Sequence, residues 1–339
     1  MECAAYADFC DFGTVPVVAT VVLQLALHIA ATLTSWLLLS LLRRLCVCHI
    51  HMRTIYVQII FAIVVCNIYG IFEFVEVVYG VLVNARSNAY TCATITQGSI
   101  PNGVLLAIGC FGFILVVERV YATYNYLKYE DFNLEVFVQY ICLFVWFFVI
   151  ITVFGSTAFS FIYSSSSDKS CADADPLKAN ISNLITALMY SIYCFLFAFL
   201  INYNRERRKH YQSYFNEGLG GRYQLMENIT ATQMLLPLAV GITVYCLGCF
   251  VFDWMRGPSF ITVVRLVFKA HFFPLFFTFY PIHIIFSSSV LKRNAKVVMR
   301  HWMYSSEAAH SVNMRNVDQE RECLQDLIEL FSEDKIHVS

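Results

Sequence analysis

The chain has 339 residues, of which 58% are hydrophobic and only 14% charged, with a net charge of −1. A soluble domain of this size would interrupt its helices with charge every turn or two, and here long stretches carry none. The near-neutral balance also offers no basic footprint for nucleic acid.

In chain order, residues 1–15 carry no Lys or Arg and no cleavage motif, so the first apolar run is expected to act as an uncleaved signal anchor. Seven uncharged or nearly uncharged runs follow: Pro16–Leu42, Thr54–Phe72, Tyr90–Val117, Val136–Ser167, Ala179–Tyr203, Ile229–Phe252 and Ala270–Val290. About 20 apolar residues cross a bilayer core as a helix, and each run meets or nearly meets that length. The expected fold is an all-α membrane protein. It comprises an extracellular N-terminus (residues 1–15), a seven-transmembrane helix bundle (16–290), an amphipathic membrane-surface helix (291–304) and an acidic tail (305–339).

Lys and Arg set the orientation. Fourteen of them lie at Arg43, Arg44 and Arg53, Arg119 and Lys128, Arg205 to Arg222, and Lys292 to Arg300, all on one side of the bundle. Arg86, Lys169, Lys178 and Arg256 are the four on the other. The fourteen-charge side is expected to be cytoplasmic, which puts the N-terminus outside. That is the topology of G-protein-coupled receptors and the reverse of insect-type odorant receptor channels. The sequence shows no internal repeat of the kind transporters carry. It shows no P-loop, dinucleotide fingerprint, metal-spaced His/Glu pattern or nucleophile–base set, so no catalytic residue, cofactor or metal is assigned.

Of the 13 cysteines, Cys66, Cys110, Cys142, Cys194, Cys246 and Cys249 sit inside apolar runs as small hydrophobes. Cys46 and Cys48 face the cytoplasm. Cys92 lies at the outer start of helix 3 and Cys171 in the polar outer loop Ser164–Lys178, an oxidising setting. They are expected to form a disulfide tying that loop over the bundle; a second bridge, Cys3 to Cys10, is an open alternative. Asn180-Ile181-Ser182 is a glycosylation sequon close to helix 5, whereas Asn228-Ile229-Thr230 falls at the cytoplasmic edge and is a chance match.

Helix 3 ends in Glu118-Arg119-Val120-Tyr121. An arginine there is either a topological anchor or a switch, a partly exposed group pairing with Glu118 or with Glu227 at the inner end of helix 6. Asn204–Asn228 reads as a long basic loop punctuated by Gly218, Gly220 and Gly221. Pro237 interrupts helix 6 about two turns in, and Pro274 and Pro281 interrupt helix 7. Leu291–Tyr304 mixes Lys292, Arg293, Lys296 and Arg300 with apolar residues, suiting an anionic leaflet. The tail Ser305–Ser339 has eight acidic against three basic residues, with Leu324, Leu327, Ile328 and Phe331 at helical spacing.

Four charges lie towards the outer halves of the helices: Glu73 and Glu76 on helix 2, and Arg265 and Lys269 on helix 7. Charge at such depth faces inward. The four make either a structural clamp or a polar floor for a ligand, in a bundle otherwise rich in aromatics. Lys269 carries no surrounding opsin motif that would make it a retinal attachment site.

Three stretches resemble the nematode serpentine chemoreceptors of the Sra group, which comprises the Sra, Srab, Srb and Sre families. Glu118-Arg119-Val120-Tyr121-Ala122-Thr123 followed by Tyr129-Glu130 is similar to their signature after helix 3. Arg222-Tyr223-Gln224-Leu225-Met226-Glu227-Asn228 is similar to the signature opening helix 6, and Cys46–Tyr56 to a short His-containing loop after helix 1. Sre looks nearest. The resemblance spans all seven helices. It implies a G-protein-coupled receptor of sensory neurons in the plasma membrane, with a small-molecule ligand and a heterotrimeric G protein as partners. It carries over Arg119 as the helix 3 switch and Glu227 as part of the helix 6 signature. Rhodopsin-like features are missing: helix 2 has Asn67 where an Asp is usual, and helix 7 reads Tyr280-Pro281. A seven-helix ligand-gated channel or transporter is the alternative, disfavoured by the apolar middle and inner parts of the helices.

The charge asymmetry makes a direct prediction. An epitope tag at residue 1 will be stained on intact cells. Staining that appears only after permeabilisation would reverse the orientation and revive the channel reading.

Overall fold

In a bilayer core the backbone has no water to bond to, so each crossing segment must satisfy its own amides as a helix. The computed structural model describes residues 14–44, 50–83, 89–125, 135–166, 176–213, 219–255 and 259–303. They form eight helices: α1 Thr14–Arg44, α2 Ile50–Val83, α3 Ala89–Tyr124, α4 Glu135–Ser166, α5 Pro176–Ser213, α6 Leu219–Trp254, α7 Ser259–Ser287 and α8 Ser289–Met303. Seven of them, α1 to α7, are long and apolar enough to cross a membrane. The chain is an all-helical seven-transmembrane bundle. The acidic tail lies outside the described residues.

α1 packs against α2 on one side and α7 on the other, while α3 touches α2, α4, α5 and α6 and so forms the central strut. Ile59, Ile63, Ala107, Phe111, Leu115 and Ile242 are completely or almost completely buried at the heart of this arrangement. The outward faces are equally apolar. Phe137, Tyr140, Phe144, Phe147 and Phe154 on α4 stand more than half exposed. In water such a face would drive aggregation. Against lipid it costs nothing, which is why α4 can be the least buried span.

Two departures from the sequence expectation bear on the site. The segment 204–228 is mostly helix, because α5 continues to Ser213 and α6 begins at Leu219. Past the bilayer, Arg, Lys, Glu and Gln are good helix formers. Lys209 pairs with Glu206 at 2.7 Å along the α5 surface, and the basic cluster complements the negative end of the helix dipole. Pro237 consequently lies about five turns into α6 rather than two. At the opposite end α4 runs to Ser166 and α5 starts at Pro176, so the sequon residue Asn180 is helical. Proline suits a first helical position, where its missing N–H would be unpaired anyway.

α8 turns off α7 at Ser288. The Ser288 hydroxyl accepts the Leu291 N–H at 3.3 Å and its carbonyl accepts the Lys292 N–H at 2.9 Å, an N-cap that restarts the helix. Leu291 and Ala295 are buried, while Lys292, Arg293 and Lys296 are exposed. The Lys292 ammonium sits 5.7 Å from the centre of the Phe286 ring.

Close helix approach depends on particular glycines. A Cβ on Gly70 of α2 would fall 2.4 Å from the His28 ring of α1. That ring is not free to swing, since its Nδ1 is hydrogen-bonded to Asn67 Oδ1 at 3.0 Å. Gly70→Ala should therefore destabilise the purified protein by about 1–3 kcal/mol, the usual cost of overpacking. His28→Ala in the same chain should restore part of the loss in a thermal melt. A Gly70→Ala protein that melts like the parent would show that α1 and α2 do not meet this closely.

Candidate functional site

A guanidinium has five N–H donors and no acceptor, and burying one is expensive unless its charge and hydrogen bonds are matched. Arg119, near the end of α3, is only 1% exposed and is the largest fully buried side chain described. The sequence placed it at a partly exposed border; the structure buries it instead. Its Nε and Nη2 donate to the two carboxylate oxygens of its neighbour Glu118, a fork-on-fork pairing. Its Nη1 donates to Asn228 Oδ1 on α6 at 2.7 Å.

One turn further along α3, Thr123 is gripped from α5. Asn204 Nδ2 donates to its hydroxyl at 3.2 Å, and Arg207 Nη1 donates to its carbonyl at 2.9 Å. The inner turns of α3 are thereby tied to α6 by Arg119 and to α5 by Thr123. A third tie lies nearby. The hydroxyls of Tyr56 on α2 and Tyr280 on α7 are 2.6 Å apart, and Tyr280 donates to the Met234 carbonyl of α6 at 3.3 Å. All of this lies at the end of the bundle carrying the basic segments and α8, referred to below as the basic end.

Sequence reasoning chose Glu227 as the α6 partner of Arg119. The structure places Glu227 in α6 and buried, and it also sets the adjacent Asn228 on the guanidinium at 2.7 Å. The other signature residues, Arg222, Tyr223 and Gln224, fall in the first turns of α6, their side chains outside the described residues.

Towards the other end, Arg265 and Lys269 lie half-buried on α7. Glu73 and Glu76 lie on α2, but their side chains are outside the described residues, and so is the proposed clamp. Cys92 falls on α3 with its side chain not described, and Cys171 lies outside the described residues, so the disulfide also falls outside them. Among the described residues no group of three or more His, Cys, Asp or Glu could hold a metal ion.

Two features escaped the sequence reading. His28, Asn67 and Gly70 join α1 to α2, with Asn67 Nδ2 also donating to the Ile63 carbonyl at 2.8 Å. The α6–α7 seam is aromatic: Tyr245 lies 3.8 Å, centroid to centroid, from Phe273 and 5.9 Å from Phe268. Gly241 and Gly248 of α6 leave the space that Phe276 and Phe268 of α7 occupy. The signal for the seam was the pairing of glycines seven apart with phenylalanines eight apart. For His28 and Asn67 a lone polar residue in each of two apolar runs was the only signal.

The arrangement is suited to switching. A buried arginine ties α3 to α6, and α6 is weakened by a proline that cannot donate to the carbonyl four residues back. No curated protein matches the chain. Residues 86–316, well over half of it, match the family model described as serpentine type 7TM GPCR receptor class ab chemoreceptor. The model that matches is thus class ab, where the sequence resemblance had put Sre nearest. The chain belongs to the class ab family of serpentine seven-transmembrane GPCR chemoreceptors.

Proposed function

We propose that this chemoreceptor senses a small molecule from outside the cell and passes the signal to a heterotrimeric G protein through release of Arg119. The observation that carries the reading is the Arg119–Asn228 hydrogen bond between α3 and α6. A hydrogen bond to a charged group contributes about 1.5–3 kcal/mol. A ligand that favours the opened state by a comparable margin shifts the population roughly ten- to a hundredfold. The G protein would meet the basic end, where Arg205, Arg208 and Lys209 of α5 stand next to α6. Glu118 and Glu227 would then govern how readily Arg119 is freed.

The ligand would enter from the opposite end. The aromatic seam between α6 and α7 suits an apolar molecule, with Glu73, Glu76, Arg265 and Lys269 as candidate polar contacts or as a clamp holding α2 near α7. The Cys92–Cys171 bridge would hold the loop above this region, and Asn180 is the candidate glycan site. The plasma membrane of sensory neurons, with the N-terminus outside and an anionic leaflet under α8, is the setting this reading implies.

The test is expression of the full chain in reporter cells with a chemical panel, reading G-protein activation against surface expression. Arg119→Ala should reach the surface and lose ligand-evoked signalling, and Glu227→Gln should raise basal signalling several-fold. Normal signalling by Arg119→Ala would reduce the residue to an anchor. A ligand-evoked current in cells without G protein would favour the channel instead.

A further inference from the structure

Buried polar atoms are nearly always hydrogen-bonded, so the exceptions ask for a reason. Two lie at the basic end: Asn204 Oδ1 on α5 and Asn228 Nδ2 on α6 have no hydrogen-bond partner. Each residue is 1% exposed. They are complementary, one an acceptor and the other a donor. Each amide is half used. Asn204 spends its donor on Thr123, and Asn228 spends its acceptor on Arg119. The Asn228 orientation is fixed, because a guanidinium can only donate. Turning the Asn204 amide over would only exchange one orphan atom for the other.

Their placement favours an exchange of partners. Arg119 and Thr123 share a face of α3 one turn apart. The two asparagines that bond to them are therefore brought to adjacent levels where α5, α6 and α3 converge. α5 and α6 pack together along more of their length than any other pair of helices, so α6 can shift against α5 without parting from it.

We propose that Asn204 and Asn228 form a second latch, open in the arrangement seen here and closed once Arg119 is released. When the guanidinium leaves Asn228, the Asn228 amide N–H donates to Asn204 Oδ1. α6 passes from being tied to α3 to being tied to α5. The pair then satisfies the two atoms that the Arg119-bound arrangement leaves unpaired, so the opened state has a hydrogen bond of its own. The inference rests on Arg119 being the switch, and it assigns to Asn204 and Asn228 the role of positioning residues on the two sides of that switch.

A double-mutant cycle on melting temperature tests it in the purified full chain without any G protein. Asn204→Leu, Asn228→Leu and the double variant are compared in the parent and in an Arg119→Met background. In the parent the two losses should add. In the Arg119→Met background the double variant should melt no lower than the worse single variant, because the pair then acts as a unit. Additive losses in both backgrounds, or the same coupling in both, would overturn the proposal. If the Arg119→Met chains do not fold, Asn204→Leu serves, since it leaves the Arg119–Asn228 bond in place and removes the acceptor that Asn228 takes up on release. At equal surface expression its basal signalling should fall several-fold, and unchanged or raised signalling would overturn the proposal. Because the melting cycle involves no G protein, its failure is separable from failure of the coupling reading.

Discussion

The structure depends on a charge that has been taken out of water. Arg119 is buried at the meeting of three helices, and a guanidinium there must be matched by acceptors or it destabilises the bundle. One match comes from its own helix, through Glu118. A second comes from α6, through the neutral amide of Asn228. The division is consequential. The Glu118 ion pair lies within α3 and travels with it, so it keeps the charge compensated when α6 moves. A latch built this way can open without leaving a bare charge in the interior.

The other contacts sort themselves around this point. Asn204 and Arg207 hold α3 to α5 through Thr123, and the Tyr56–Tyr280 pair holds α2 to α7. Higher in the bundle, Tyr190 and Tyr193 of α5 donate to the Leu105 and Gly109 carbonyls of α3 at 3.1 and 3.3 Å. α3 is thus fastened to α5 at several levels. Against α6, Arg119 donates to Asn228. α6 also carries Pro237 at mid-helix, where a helix can bend.

Much of this was legible in the sequence. Seven uncharged runs can only be spans, and Glu118-Arg119 stood out because charge at the end of such a run is rare. Asn228 was seen as part of a signature but not as a partner of Arg119, since a neutral amide beside Glu227 offers no Coulombic reason to choose it. Asn204 was read as the start of a loop. Hydropathy marks where lipid contact ends, which is not where the helix ends, so both α5 and α6 outran the expectation. The Tyr56–Tyr280 bond joins residues more than two hundred positions apart. His28 and Asn67 are single polar side chains in apolar helices; no periodicity announces such pairs, and only the folded bundle brings them together.

The claim on which the account turns is that α6 leaves α3 at the basic end when the receptor couples. The direct measurement is the distance between spin labels on Tyr124→Cys of α3 and Gln233→Cys of α6, both at exposed positions. It is recorded by pulsed electron resonance in the purified receptor alone and bound to nucleotide-free G protein. The account predicts a single shorter distance for the free receptor and a population several ångströms longer in the complex, with the longer distance already present in an Arg119→Met receptor alone. A distance that stays the same on G-protein binding would contradict it.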